Sequence, residues 1–171
     1  MVVESVRVSL TTQNRVVILK DKGTERYLLI WIGPLEAWAI ASAVAGVPPA
    51  RPCTHDLVKS VVDELGAKVT QVIVNDLREE TFFARIIMDS NGRHIEIDSR
   101  PSDAIAVAVR VKAPIYVEDT VLNSAGVTPD TEEAPAAEAT GEKVDIDKLS
   151  AFQELINGLD TLDDLGKPKS S

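Results

Sequence analysis

The segment 98-DSRPSDAIAVAVR-110 changes from polar to apolar at its middle. Its first half holds charged and hydroxyl side chains, and residues 104–109 are all alanine, isoleucine or valine. A proline followed closely by an aspartate is typical of the first turn of a helix. The segment therefore predicts a helix that enters the protein interior and has a strongly polar start.

A second polar helix start lies upstream, in 51-RPCTHDL-57. It also places Arg-Pro ahead of a hydroxyl and an aspartate. Thr54 is the predicted N-cap, Asp56 lies in the first turn, and Gly66 is a suitable residue after the last turn. Helical spacing predicts one apolar face for this helix, formed by Leu57, Val58, Val61, Val62 and Leu65.

The remaining patterns predict an α+β fold with a mixed, mostly antiparallel sheet packed against about three helices. An alanine-rich helix is expected at 35–46, and a short helix at 118–126. The pair Asn91-Gly92 predicts a tight hairpin turn. Strands are predicted from short β-rich runs at 6–10, 15–21, 26–32, 68–77, 81–89, 93–98 and 115–117.

The composition changes after residue 127, which predicts three further parts. Residues 128–143 are rich in Pro, Ala, Thr and Glu without apolar periodicity, as expected for an acidic flexible linker. Residues 144–166 carry apolar side chains at helical spacing and predict an amphipathic helix, followed by a disordered tail at 167–171. The helix could pack back on domain 1–127, on a second copy or on another protein, and its spacing does not choose among these.

Composition limits the class of protein. The 171 residues are 44% hydrophobic and 26% charged, which is typical of a soluble globular protein. No apolar run of 18 residues is present, so no membrane span is expected. The first ten residues lack the pattern of an export signal, and a single cysteine permits no internal disulfide or cysteine metal cluster, so we expect a cytoplasmic protein.

The charge is unevenly distributed along the chain. The net charge of −9 divides into −2 for residues 1–127 (14 Lys and Arg, 16 Asp and Glu) and −7 for residues 128–171 (4 and 11). A nearly neutral domain has no broad positive field, so any binding of a phosphate polymer must be local. The acidic C-terminal part would repel such a polymer.

Two interpretations fit the polar helix starts. In the first, the aspartates and hydroxyls only cap helices, and each arginine pairs with a nearby carboxylate. In the second, unpaired helix N–H groups and an arginine bind a phosphate, and carboxylates bind Mg²⁺ or Mn²⁺. The candidate phosphate-binding residues are then Arg51, Thr54, Arg100 and Ser102, and the candidate metal ligands are Asp56, Asp98 and Asp103.

In the second interpretation, His55 is the candidate general base, because an unperturbed imidazole titrates near neutral pH. The candidate catalytic residues are then His55, Asp56 and Asp103, provided that the two helix starts meet in space. His94 is better explained as an exposed strand residue, and Glu36 as a carboxylate at a helix start. The two tryptophans, Trp31 and Trp38, are expected in the core rather than as stacking platforms for bases.

The sequence resembles the bifunctional nuclease family over residues 3–127. The resemblance lies in IWIGPLEAWAIASAVAG (30–46), in RPCTHDLVKSVVDELGAKVTQVIVNDLREETFFARI (51–86) and in IDSRPSDAIAVAVRVKAPIYV (97–117). It implies an α+β domain that self-associates, so we expect a homo-oligomer, and it implies nuclease activity on both RNA and DNA.

Three functions remain open at this point. The leading hypothesis is a nuclease dependent on a divalent metal that hydrolyses phosphodiester bonds in RNA and DNA. The alternative is a regulatory module that binds a phosphorylated small ligand or a protein partner without turnover. A third is a structural dimerisation domain whose polar motifs only cap helices.

Overall fold

The computed structural model describes residues 1–8 and 14–128. The chain forms eight strands and four helices within these ranges, in the order β1 Val2–Val8, β2 Arg15–Lys20, β3 Tyr27–Ile32, α1 Pro34–Ala45, α2 Thr54–Glu64, β4 Ala67–Arg78, β5 Thr81–Ser90, β6 Arg93–Ser99, α3 Pro101–Val111, β7 Ile115–Val117, α4 Asp119–Ala125 and β8 Gly126–Val127. The predicted helix at 144–166, the predicted tail and all but the first residue of the predicted linker lie outside the described residues.

The strands form two four-stranded sheets rather than one. The first sheet has the order β1-β2-β3-β8 and is antiparallel throughout. The second has the order β6-β5-β4-β7, in which only β4 and β7 run parallel. The prediction of an α+β fold with mostly antiparallel strands is therefore confirmed, and the structure adds that the strands divide between two sheets.

Helix α3, which contains the polar start at 98–103 and the apolar run 104–109, is the central element of the core. It contacts α1 and α2 and packs against β3 of the first sheet and β4 and β5 of the second. Its apolar half is almost completely buried, as expected for a run of alanine, isoleucine and valine. The small side chains of Ala104, Ala106 and Ala108 allow neighbouring elements to approach α3 closely.

Local sequence signals set several of the turns. Asn91 and Gly92 both have positive φ, 54° and 80°, as the predicted two-residue hairpin between β5 and β6 requires. Gly46 ends α1 in the left-handed conformation with φ 70°. Both turns can be predicted from the sequence because each depends on only one or two adjacent residues.

Two sequence expectations need correction, and the structure adds detail to a third. The N-cap of α2 is Cys53, and Thr54 is the first helical residue. On the predicted apolar face of α2, Val62 is partly buried against the core, whereas the other four residues are exposed: Leu57, Val58, Val61 and Leu65. Trp31 is 53% exposed rather than buried, since Leu28 and Ile30 face the core and alternation along β3 turns Trp31 to the opposite side.

His94 lies on β6 with an exposed side chain, as predicted, and its Nε2 is 3.3 Å from Glu96 Oε1. Within the described ranges, no helix is long and apolar enough to span a bilayer.

Candidate active site

The starts of α2 and α3 meet in space. His55 Nε2 in the first turn of α2 lies 3.0 Å from Asp103 Oδ1 in the first turn of α3. The His55 side chain is mostly buried and Asp103 is about one-third exposed. This contact joins residues 48 positions apart, and it fulfils the geometric condition on which the sequence-based hypothesis of one shared site depended.

Arg100, the N-cap residue of α3, holds the other side of Asp103. Its Nε donates to Asp103 Oδ2 at 2.8 Å, and its Nη2 lies 3.2 Å from Oδ1. Nη2 also donates to Glu36 Oε1 on α1 at 2.8 Å. The Arg100 side chain is 67% exposed, so a solvent-accessible cation lies between two carboxylates.

Glu36 was interpreted from the sequence only as a carboxylate favoured by the helix dipole. The structure assigns it a further contact, because its largely buried side chain ties α1 to the start of α3 through Arg100. Gly33, the N-cap residue of α1, leaves room for this carboxylate, since a Cβ at position 33 would collide with it. Glu36 and Arg100 are 64 positions apart, so no local sequence pattern could predict their contact.

Asp56 faces a different partner from Asp103. Its Oδ1 accepts a 2.7 Å hydrogen bond from Nε of Arg110, whose side chain is only 6% exposed, and its Oδ2 accepts the Cys53 N–H at 2.9 Å. Nη1 of Arg110 also donates to the carbonyl oxygens of Ala39 and Ala106, at 2.9 Å each. Asp56 is therefore part of a buried junction of α1, α2 and α3.

Sequence reasoning did not single out Arg110. The available signal was a lone charge at the end of an apolar run, seven positions after Asp103 and so on the same face of α3. The two residues are separated by about 10 Å along the helix, and they contact the adjacent residues His55 and Asp56 respectively. The two polar contacts therefore hold the first turn of α2 against α3.

Both aspartates are held in the charged form. Burial raises the pKa of Asp103, but hydrogen bonds from Arg100 and His55 outweigh burial, and the pKa falls below its ordinary value of 3.8. Burial also raises the pKa of Asp56, and there the hydrogen bonds from Arg110 and the Cys53 N–H lower it below 3.8. At neutral pH each carboxylate therefore acts only as an acceptor.

A cleft of about 480 Å³ opens beside the contact between His55 and Asp103. It is lined by Leu35, Glu36, Trp38, Ala39, Pro52, Cys53, Thr54, His55, Arg100 and Asp103. Burial, and next the Asp56 carboxylate, raise the pKa of the Cys53 thiol above its ordinary 9.0, so this thiol is protonated at neutral pH and is a poor nucleophile.

The other predicted site residues lie outside the cleft lining. Arg51 is exposed in the connector before α2, and Ser102 is buried in the first turn of α3. Asp98 is paired across the sheet with Arg85 on β5. Its neighbour Ile97 pairs with the core residue Ile86, so alternation places Asp98 on the opposite face of the sheet from the core.

The predicted metal set of Asp56, Asp98 and Asp103 does not form a cluster. In the described part of the chain, no three His, Cys, Asp or Glu side chains converge in a way that could hold a metal ion. Each carboxylate has a different neighbour. Asp56 pairs with Arg110, and Asp103 pairs with Arg100 and His55. Asp98 lies on β6, on the face of the sheet opposite the core. These three carboxylates do not fit a shared divalent cation.

Comparison with known proteins gives a consistent family. The sequence profile of the bifunctional nuclease domain matches residues 17–130. An uncharacterized protein of Mycobacterium tuberculosis (strain H37Rv) is 40% identical over 158 residues, which are 92% of each chain. Bifunctional nuclease 2 of Oryza sativa subsp. japonica is 33% identical over 118 residues, and bifunctional nuclease 1 of Arabidopsis thaliana is 34% identical over 115 residues. These matches cover 67% and 66% of this chain but only 36% and 35% of the plant proteins.

Proposed function

Because the chain belongs to the bifunctional nuclease domain family, we propose that it hydrolyses phosphodiester bonds in RNA and DNA at the cleft between α1, α2 and α3. The observation that carries this proposal is the 3.0 Å contact between His55 Nε2 and Asp103 Oδ1 at the edge of that cleft. A histidine oriented by a carboxylate is a recurrent arrangement for proton transfer in hydrolysis.

The contact determines which ring nitrogen acts. An ionised Asp103 can only accept, so Nε2 of His55 carries the proton of this bond. Nδ1 is then the basic nitrogen, and it takes the proton of a water molecule. Asp103 acts as a positioning residue, because it fixes the tautomer and orientation of the imidazole.

Arg100 is the proposed phosphate ligand. Its described hydrogen bonds use Nε and Nη2, which leaves Nη1 on an exposed guanidinium for a phosphate oxygen. Glu36 and Asp103 oppose the phosphate electrostatically, so the binding is weak and local. This agrees with the nearly neutral charge of residues 1–127.

The proposed hydrolysis uses only the phosphodiester and one water molecule as reactants. The water oxygen forms a bond to phosphorus as its proton passes to Nδ1 of His55. The bond from phosphorus to one sugar oxygen breaks, and that oxygen receives a proton from the imidazolium or from solvent. The products are a phosphate monoester end and a hydroxyl end.

Dependence on Mg²⁺ or Mn²⁺ stays a prediction. The three carboxylates chosen for it do not fit one ion, so no step is assigned to a metal. Cutting measured with added Mg²⁺, with added Mn²⁺ and with a chelator tests this prediction separately from the role of His55.

The test of the proposed function is cleavage of end-labelled single-stranded RNA and DNA by the purified full chain. We expect His55→Gln to reduce cutting by about 100-fold or more, as loss of a general base does. The matched control is His94→Gln, which removes the other histidine and should leave cutting unchanged. The absence of cutting of both polymers, or full activity of His55→Gln, would contradict the proposal.

A second candidate is a module that binds a phosphorylated small ligand without turnover. It is favoured by one observation, namely that Arg100 is already paired with two carboxylates in a cleft whose volume falls in the range typical of small-molecule sites. Calorimetry with mononucleotides and sugar phosphates separates the two functions, since this module would show affinity without any product.

A further inference from the structure

One wall of the cleft is apolar, beside the charged residues of the proposed site. Leu35 and Trp38 lie three positions apart on α1, hence on neighbouring parts of one helix face, and Pro52 lies in the connector before α2. Leu35 is one of the more exposed large hydrophobic residues of the described chain. The roles proposed for His55, Asp103 and Arg100 make no use of this wall.

Trp38 is held in a definite position within the wall. It is partly buried and packs against the hydrophobic core, and it also lines the cleft. Packing against the core restricts the indole, so the part of the ring that borders the cleft is a fixed aromatic surface. Sequence reasoning placed Trp38 in the core, which describes only one side of this residue.

The combination of neighbouring groups defines the ligand chemistry. A flat aromatic surface binds a flat aromatic ligand by stacking. The exposed cation of Arg100 lines the same cleft and suits an anion attached to that ligand. A nucleobase joined through its sugar to a phosphate has both parts.

We propose that Trp38 is a stacking platform for one unpaired nucleobase, so that the site takes single-stranded RNA or DNA in preference to a duplex. This inference rests on the proposed nuclease function and names its substrate class. Inside a duplex both faces of a base are covered by its neighbours, and a base meets the indole only after leaving the stack. Stacking is tolerant of base identity, which is consistent with action on both polymers.

The first experiment measures the fluorescence of Trp38. The chain has two tryptophans, so Trp31→Phe leaves Trp38 as the only indole. This full-length variant is titrated with a single-stranded 8-mer DNA whose phosphorothioate linkages resist cleavage. We expect the 8-mer to quench the indole fluorescence. An abasic strand of the same length and the duplex form should cause no quenching.

The second experiment measures affinity with a labelled 8-mer by fluorescence anisotropy. Replacing a stacking aromatic side chain weakens binding by roughly 10-fold or more, so we expect this loss in Trp38→Leu. Trp38→Phe, which keeps an aromatic ring, should stay within about 3-fold of the wild type. Trp31→Phe is the matched control with unchanged affinity, and thermal melting confirms that each variant is folded.

The outcomes separate this inference from the nuclease proposal. Quenching by the resistant 8-mer, together with no cleavage of end-labelled single-stranded RNA and DNA, would support the role of Trp38 and contradict the nuclease. Cleavage with equal activity on single strands and duplexes, unchanged in Trp38→Leu, would support the nuclease and overturn the inference. Equal binding of the abasic strand, or a mononucleotide that binds as tightly as the 8-mer, would also overturn it, since the base or the strand would then be irrelevant.

Discussion

Asp56 and Asp103 have the same side chain but different partners, and their partners give them different roles. Asp103 contacts two groups of the cleft, His55 and Arg100. Asp56 contacts the buried Arg110 and a backbone N–H. The sequence placed both among the catalytic residues, because each lies in the first turn of a helix after an Arg-Pro pair, and only the tertiary contacts distinguish them.

The first prediction concerns Asp56. Asp56→Asn removes the negative charge opposite the buried Arg110, and we expect the free energy of unfolding to fall by about 2 kcal/mol. The matched control is Asp63→Asn on the same helix, where an exposed pair with Lys59 is lost, for an expected cost of about 0.5 kcal/mol or less. Urea unfolding measures both variants, and equal losses would contradict the structural role of Asp56.

The second prediction concerns acid. The pKa values of Asp56 and Asp103 are lowered in the folded protein, so their stabilisation is complete above the unfolded value near 3.8 and is lost as the pH falls through the lower folded values. Stability should therefore decrease from about pH 5 towards pH 2. The double variant Asp56→Asn, Asp103→Asn should show a shallower decrease, measured by urea unfolding at several pH values. A decrease as steep as in the wild type would contradict these assignments.

At the scale of the elements, the sequence predicted what depends on neighbouring residues. The polar start of α3, the apolar run behind it and the hairpin at Asn91-Gly92 are local patterns, and the structure confirms the corresponding helices and turn. The division of the strands into two sheets depends on pairing over long distances, as in the contact of the short β8 with β3. Periodicity gives no information on such pairing.

The candidate site follows the same rule. The sequence identified His55, Arg100 and Asp103, because charged and hydroxyl groups crowd two helix starts. It missed Glu36, whose partner Arg100 is 64 positions away, and Arg110, whose partner Asp56 is 54 positions away. It grouped Asp98 with Asp56 and Asp103, whereas the structure places Asp98 on a sheet strand outside the cleft, and the face of β6 on which this residue lies depends on strand register.

The third prediction concerns α2 and the expected homo-oligomer. Leu57, Val61 and Leu65 share one face of this helix, and Leu57 and Leu65 are 58% and 72% exposed. An apolar helix face left in solvent is typical of an interaction surface, and self-association through it is the expected use. We expect Leu57→Gln, Leu65→Gln to lower the oligomeric state in sedimentation velocity while the melting temperature of the dilute protein changes little.

The matched control for the helix face is Val44→Gln, which changes an exposed apolar residue on α1. It should keep the wild-type sedimentation behaviour. A wild-type chain that is monomeric at all concentrations, or an α2 double variant that sediments like the wild type, would contradict the prediction.

At the scale of the whole molecule, charge is unevenly distributed between residues 1–127 and the acidic residues after them. Residues 1–127 carry a net charge of −2 and residues 128–171 carry −7. The domain alone therefore neither attracts nor strongly repels a polyanion, whereas the complete chain repels it. Under the proposed function, binding of a nucleic acid would therefore depend on local contacts, namely the proposed stacking on Trp38 and the single arginine in the cleft.

The fourth prediction tests this balance in the full chain. Replacing Glu132, Glu133, Glu138 and Glu142 by Gln changes the net charge from −9 to −5. We expect tighter binding of a single-stranded 8-mer at low salt, because repulsion over distances longer than a side chain is reduced. The gain should disappear at about 1 M salt, where the Debye length is only about 3 Å.

The affinity for the 8-mer should also depend only weakly on salt, since contacts with one or two phosphates give a slope of about −0.7 to −1.4 in log K against log salt. Fluorescence anisotropy across a salt series measures both quantities, and a gain that persists at high salt would show that these glutamates act through direct contacts and not through their charge.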